Sequence, residues 1–261
     1  MILAVDAGNS NIVLGCMEGL EIRHTLRLKT DRAMSAAGYA VTLQAALAQA
    51  GFSVAGFEGG ILSSVVAAVT EPLRQALSAL LSGPVLVVGK TAKTTLPLCI
   101  DQPETIGADL IAAAEGALAQ YAPPLVLIDM GTATTFSVLD KSGAFLGGAI
   151  MPGVQLGAEA LTQRTGLPMA ELSAPQSPLS RSTTDCLRSG VIYGAAAMVD
   201  GMLERLETAL GMPVTAIATG GLAKCVIPHC RRPVTLDDGL LLRGLAVLYR
   251  KEKTASICPS L

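Results

Sequence analysis

LAVDAGNSNIVLGCMEG, residues 3–19, returns near the middle of the chain as VLIDMGTATTFSVLDKSG, residues 126–143, and this echo decides the fold. Each copy reads as an apolar strand, an Asp-x-Gly turn followed by small polar residues, a second strand and a glycine-containing hairpin. More strand-like sequence comes after each copy, RHTLRLKT in the first half and AFLGGAIM in the second, so both halves open with antiparallel strands. Helical periodicity then takes over in AGYAVTLQAALAQAG and TEPLRQALSALLSG, and later in VDGMLERLETALG. GGILSSVVAA, GPVLVVGKT and VTAIATGG are short, β-branched and bounded by Gly or Pro, the pattern of parallel strands covered on both faces by helices. The expectation is an α/β protein of two duplicated halves, each a mixed sheet flanked by helices. AQYAPPLV, with Pro123 and Pro124, marks the boundary, giving domains at 1–120 and 121–261, the second ending in a helix from about Leu240 to Arg250.

Composition narrows the function classes. The 261 residues can bury a substantial core, and 51% of them are hydrophobic. Only 15% are charged, against roughly 25% in an average soluble domain, so the surface is rich in small neutral residues. The longest apolar run, GVIYGAAAMV, stops at Asp200, short of the roughly 18 residues a membrane helix needs, and a soluble protein is expected. ILAVD begins at residue 2 and leaves no room for a leader, so the expected location is the cytoplasm. The six cysteines (Cys16, Cys99, Cys186, Cys225, Cys230 and Cys258) include no CxxC pair, which argues against structural zinc and for reduced thiols. A net charge of −2 with dispersed Lys and Arg, and no Trp, leaves neither a basic stripe nor stacking platforms for nucleic acid.

Asp6 and Asp129 each end an apolar strand, with Gly8 and Gly131 two positions on, where the missing Cβ lets backbone N–H groups approach a phosphate. Asn9, Ser10, Thr132, Thr134 and Thr135 add donors. A carboxylate beside a phosphate repels it unless a cation intervenes, so the paired aspartates imply a metal ion. One such turn is most simply an ordinary hairpin; two in matching contexts point to phosphate chemistry. IATGG, with Thr219, Gly220 and Gly221, is a third strand-to-glycine turn, suited to close approach by a ribose or purine. GPVLVVGKT fails as a phosphate-binding P-loop because five residues, rather than four, separate Gly83 from Gly89, and no GxGxxG is present. Asp109, in ETIGADLIAAAEGALAQY, suits either an N-cap or a general base toward a substrate hydroxyl. The glycines of GGAIMPG, 147–153, are packing devices or a binding floor, and Thr183 caps a helix or binds substrate.

These residues resemble the type III pantothenate kinase family, of the sugar kinase, chaperone ATPase and actin superfamily. The resemblance is carried by DAGNSNIVLG, LSSVV at 62–66, PETIGAD at 103–109, DMGTATTF at 129–136, GGAIMPG, GLP at 166–168, the Arg181–Gly194 spacing and ATGG. It implies two ribonuclease H-like domains of actin-like ATPase architecture, ATP with Mg2+ as phosphoryl donor, and pantothenate as acceptor in the first step of coenzyme A biosynthesis. By the same resemblance Asp6, Gly8, Asn9, Ser10, Asn11 and Thr132 would contact ATP, with Gly220 and Gly221 beside them. Asp129 would hold K+ or NH4+, and Asp109 would deprotonate the pantothenate hydroxyl. Gly107, Ala108, Asp109, Leu110 and Thr183 would line the pantothenate site, in a homodimer. The chain departs from the family at three places: Leu110 stands where Gly-x-Asp-Arg places arginine, SAAGY at 35–39 lacks acidic residues, and LCIDQP lacks a tyrosine. All three departures concern the acceptor, which leaves open a paralogue that phosphorylates another small hydroxy acid or binds nucleotide as a regulatory or partner subunit.

Overall fold

A computed structural model of the chain describes residues 1–168 and 171–257, so Cys258, one of the six cysteines, lies outside the described residues. Two five-stranded sheets carry the duplication. In the first half β1 (Ile2–Ala7), β2 (Asn11–Glu18) and β3 (Glu21–Lys29) are antiparallel, and β4 (Gly60–Ser64) and β5 (Val85–Val87) add in parallel on the far side of β1. In the second half β6 (Leu125–Met130), β7 (Ala133–Leu139) and β8 (Phe145–Pro152) repeat the antiparallel set, and β9 (Thr215–Thr219) and β10 (Thr235–Leu236) repeat the parallel pair. The orders β3-β2-β1-β4-β5 and β8-β7-β6-β9-β10 are therefore the same topology written twice.

Alternation along β1 separates two cores. Leu3, Val5 and Ala7 pack with α1 (Ala36–Gln49) and α2 (Ala67–Leu80) through Tyr39, Leu43, Leu47, Leu73 and Leu77. Ile2 and Ala4 face the opposite way, toward α3 (Ala108–Leu118) and α7 (Leu240–Ile257). A strand buried on both faces has no use for alternating polarity, which is why ILAVDA reads as a continuous apolar run. In the second half Val126, Ile128 and Met130 of β6 pack with Val154 of α4 (Val154–Thr165), with Ile192, Ala196, Val199 and Leu203 of α5 (Thr183–Leu210), and with α6 (Ala223–Val226). Among the described residues no helix is long and apolar enough to cross a membrane.

The chain divides into two compact units, and the division differs from the expected one at both edges. Residues 239–257 belong with the first unit and 97–100 with the second. The reason for the first difference is the contact between α7 and α3. A Cβ on Gly244 would lie 1.7 Å from the Ala112 carbonyl oxygen, and one on Gly116 would lie 2.2 Å from that of Leu240. Backbone meets backbone there, an approach that any side chain at 116 or 244 would prevent. On the same side of the two helices the buried Glu115 accepts hydrogen bonds from Lys251 Nζ and Thr94 Oγ1, both at 2.7 Å. Gly244→Ala should force α7 off α3 at a cost of about 1–3 kcal/mol, lowering Tm by roughly 2–4 °C for each kcal/mol; an unchanged thermal unfolding midpoint would refute the close crossing.

Candidate active site

Asp6 and Asp129 are the next-to-last residues of β1 and β6, the central strands of their sheets. Asp6 stands opposite Val13 of β2 and Ser63 of β4; Asp129 stands opposite Thr135 of β7 and Thr219 of β9. LSSVV and IATGG are thus one position in the two copies, each setting a hydroxyl beside the strand-end aspartate. The sequence marks Thr219 through its glycines but leaves Ser63 unmarked. The signal that finds Ser63 is the register match, which appears only when the two parallel strands are overlaid. Ser63 is fully buried and its Oγ has no hydrogen-bond partner within the protein, an arrangement worth about 1–3 kcal/mol of unmet hydrogen bonding unless water or an ion meets it.

The turns themselves are held by backbone. Gly8 N donates to Asn11 O and Gly131 N to Ala133 O, each at 3.0 Å. The first turn is one residue longer, since Asp6 pairs with Val13 whereas Asp129 pairs with Thr135. Asn9, Ser10 and Thr132 at the turn tips are exposed, where a ligand can reach them. The third strand of each hairpin closes back on the turn: Thr30 N donates to Ser10 O at 3.1 Å, and Gly153 N to Thr132 O at 3.1 Å. A Cβ on Gly153 would lie 2.3 Å from that Thr132 oxygen, so the last glycine of GGAIMPG is a closing device rather than a floor.

Gly220 packs the end of β9 against the Asp129 side chain. Its φ of +96° and the space it leaves bring the end of β9 against Asp129: a Cβ there would lie 2.6 Å from Asp129 Oδ1. Gly221, next to it, is exposed. Among the described residues no three His, Cys, Asp or Glu side chains gather into a metal cluster. Asp129 instead offers one carboxylate with hydroxyl-bearing Thr135 and Thr219 in its row, a hard-oxygen set that fits an alkali-type cation rather than zinc. Elsewhere, burial pushes the Cys16 thiol up to about 11, and burial together with the Asp200 carboxylate pushes that of Cys230 to about 12.

Asp109 is not an N-cap. That position belongs to Gly107, and Asp109 is the second residue of α3, its Oδ1 accepting from Leu110 N at 2.8 Å. A Cβ on Gly107 would lie 2.3 Å from this same oxygen, so the glycine of Gly107-Ala108-Asp109-Leu110 makes room for the carboxylate. Burial raises the Asp109 carboxyl above its ordinary value, and the hydrogen bonds from the Leu110 and Asp109 amides oppose that shift without cancelling it. A desolvated, elevated carboxylate is what a proton acceptor toward an alcohol requires. Thr183 is likewise not the cap of α5: Ser182 Oγ accepts from Asp185 N at 3.1 Å, leaving Thr183 exposed in the first turn with its hydroxyl uncommitted to capping.

Duplicated sheets with an aspartate–glycine turn at each central strand define the actin-like ATPase and sugar-kinase class. Solved structures agree at the level of fold: an activator of 2-hydroxyisocaproyl-CoA dehydratase from Clostridium difficile, with bound ADPNP, superposes with a TM-score of 0.58 at 14% identity, over 98% of this chain and 97% of that one. A ROK hexokinase from Thermus thermophilus does so with a TM-score of 0.54 at 15% identity, over 97% and 99%. The sequence model of type III pantothenate kinases matches residues 2–205. Relatives named type III pantothenate kinase from an Exiguobacterium species and from Pelobacter propionicus are 37% and 36% identical over 254 residues, covering 97% of this chain and 100% of each relative. The chain belongs to the type III pantothenate kinase family.

The raised Asp109 carboxyl has a consequence for stability. The folded protein holds this proton more tightly than the unfolded chain, so the stability it contributes is complete below the ordinary carboxyl range and is lost as pH rises through the raised value. Asp109→Asn should therefore raise Tm at pH 7, and the gain should fade as the pH is lowered and the wild-type carboxyl takes up its proton. A variant no more stable than wild type across that range would mean that Asp109 is not held desolvated.

Proposed function

We propose that this chain transfers the γ-phosphoryl group of ATP to the terminal hydroxyl of pantothenate, giving 4'-phosphopantothenate in the first step of coenzyme A biosynthesis. The observation that carries the reading is the matched pair of strand-end aspartates, each with a glycine turn and a hydroxyl in its row, in a chain of this family. Asp6, Gly8, Asn9, Ser10 and Asn11, with Thr132 from the second turn, take the nucleotide phosphates, and Gly220 and Gly221 lie on the nucleotide side of β9. Asp109 accepts the hydroxyl proton as the acceptor oxygen forms its bond to phosphorus and the bond from phosphorus to the ADP oxygen breaks. Mg2+ and a monovalent cation, K+ or NH4+ at Asp129, would neutralise phosphate charge as it redistributes. Gly107, Ala108, Leu110 and Thr183 line the acceptor position. The protein works in the cytoplasm.

A second reading concerns the acceptor alone, and Leu110 favours it. An isobutyl group cannot supply the charge-assisted hydrogen bond of an arginine, worth about 1.5–3 kcal/mol, or roughly 10- to 100-fold in acceptor binding. Purified protein assayed with ATP, Mg2+ and pantothenate, with and without potassium or ammonium, should turn over, and Leu110→Arg should raise turnover at low pantothenate. ATP binding without turnover on pantothenate or on a panel of small hydroxy acids would refute the kinase reading. Turnover on another acid, with no gain from Leu110→Arg, would reassign the acceptor.

A homodimer is also proposed. Ile150 is 77% exposed on β8, an edge strand of its sheet, and Leu146 on that strand and Leu156 and Leu161 on α4 are exposed as well. A second copy is the partner proposed to cover these exposed apolar side chains. Ile150→Asp should shift the mass in solution toward the monomer; an unshifted dimer would place the interface elsewhere.

A further inference from the structure

The two copies differ just beyond the third strand. In the second copy Gly153 closes the hairpin and α4 begins at the next residue, Val154. In the first copy Thr30 makes the equivalent closing bond, but Asp31, Arg32, Ala33, Met34 and Ser35 intervene before α1 begins at Ala36. This added segment has a definite shape. Asp31 Oδ1 accepts from Ala33 N at 2.9 Å, Asp31 O accepts from the hydroxyl of the buried Tyr39 at 2.7 Å, and Ser35 caps α1 by accepting from Gly38 N at 3.2 Å. Thr30 Oγ1 also donates to Gly8 O at 2.7 Å, binding the start of the segment to the phosphate turn.

The product of this bracing is the placement of one guanidinium. Arg32 Nη2 donates to Asn9 Oδ1 at 3.0 Å, at the exposed tip of the first turn. Residues 6–13, DAGNSNIV, contain no lysine or arginine, so the turn has no positive charge of its own. Phosphoryl transfer needs cationic stabilisation of the equatorial oxygens, and a guanidinium supplies it with several donors in a fixed fork.

We propose that Arg32, presented by the segment 31–35 and seated on Asn9, contacts the phosphates of the bound nucleotide and is a binding residue of the first turn. This rests on the reading of that turn as the ATP site. The Asn9 bond uses one donor and leaves the rest of the fork for phosphate oxygens. Lys29, paired with Asn11 across β2 and β3, is the other cation at this turn, but it comes from the strand rather than from the segment, and among the described residues no hydrogen bond seats it on the turn tip as one seats Arg32 on Asn9.

Three variants and three ligands test the proposal. Affinities of wild type, Arg32→Ala, Arg32→Gln and Arg32→Lys are measured for adenosine, ADP and ATP with Mg2+, together with kcat and KM for ATP and the dependence of ATP affinity on ionic strength. The expected result is a loss of roughly 10- to 100-fold for ATP in Arg32→Ala, with unchanged adenosine affinity and a flatter salt dependence. Arg32→Gln keeps a donor for Asn9 but not the charge and should behave like Arg32→Ala, whereas Arg32→Lys should recover most of the loss. Equal ATP affinity and kcat/KM in wild type and Arg32→Ala would overturn the proposal, as would full activity in Arg32→Gln or an equal loss for adenosine, either of which makes Arg32 a brace for the turn. Wild-type protein that binds no ATP would overturn the kinase reading first and this proposal with it.

Discussion

The crossing of α3 and α7 is the constraint on which the first unit depends. Gly116 and Gly244 allow the two backbones to touch, and the buried Glu115 takes its hydrogen bonds from Lys251 and Thr94 on the same face. Gly244 and Lys251 lie two turns apart on α7, and Ala112 and Glu115 lie one turn apart on α3. One axial register satisfies both the glycine contact and the ion pair. A buried ion pair is weak evidence for stability but good evidence for register, and the register matters here because α3 begins with Ala108 and Asp109, just after Gly107. The helix that carries the candidate base is set in place by the last helix of the chain. Apolar burial in the same layer, from Ile111, Leu242, Leu245 and Leu248, supplies the cohesion that the polar contacts then orient.

Duplication explains why each sheet offers the same chemistry and why the two offers are not equal. Both central strands end in an aspartate flanked by a hydroxyl on the parallel neighbour, and both turns are closed by the third strand of their hairpin. Around Asp129 the copy is tight: Gly220 brings backbone to the carboxylate and Gly153 brings it to Thr132. Around Asp6 the turn is a residue longer, its tip residues Asn9 and Ser10 are exposed, and a five-residue segment adds Arg32. The two turns therefore differ in length, in the exposure of their tips and in the charge placed beside them.

Much of this is legible in the sequence, for reasons that also set the limit. Strand ends and turns show because a buried strand is a short apolar run and its exit needs glycine, as at Asp6-Ala7-Gly8 and Asp129-Met130-Gly131. The allegiance of α7 does not show, since an apolar helical face says that a helix packs without saying against what; only the match of Gly244 to Ala112 decides it. Thr235–Leu236 is too short a strand to leave a pattern. Ser63 carries no local mark, being a small hydroxyl in an apolar strand, and its place beside Asp6 is a fact of pairing. Asp109 and Thr183 are each ambiguous in sequence between cap and site because caps and sites use the same residue types; only the backbone shows that the caps are Gly107 and Ser182.

Leu110 departs from the family pattern in its side chain alone. Asp109 keeps every feature a proton acceptor needs: a glycine at 107 that clears room for its oxygen, burial that raises its carboxyl, and a helix start anchored from behind by α7. Leu110 alters none of them, because its contribution to Asp109 is a backbone N–H that any residue but proline would supply. Under the proposed function, proton acceptance and acceptor recognition would be separable in this helix, the first resting on residues 107 and 109 and the second on the side chain at 110. A change confined to that side chain leaves the Gly107–Asp109 arrangement and the α3–α7 crossing as they are.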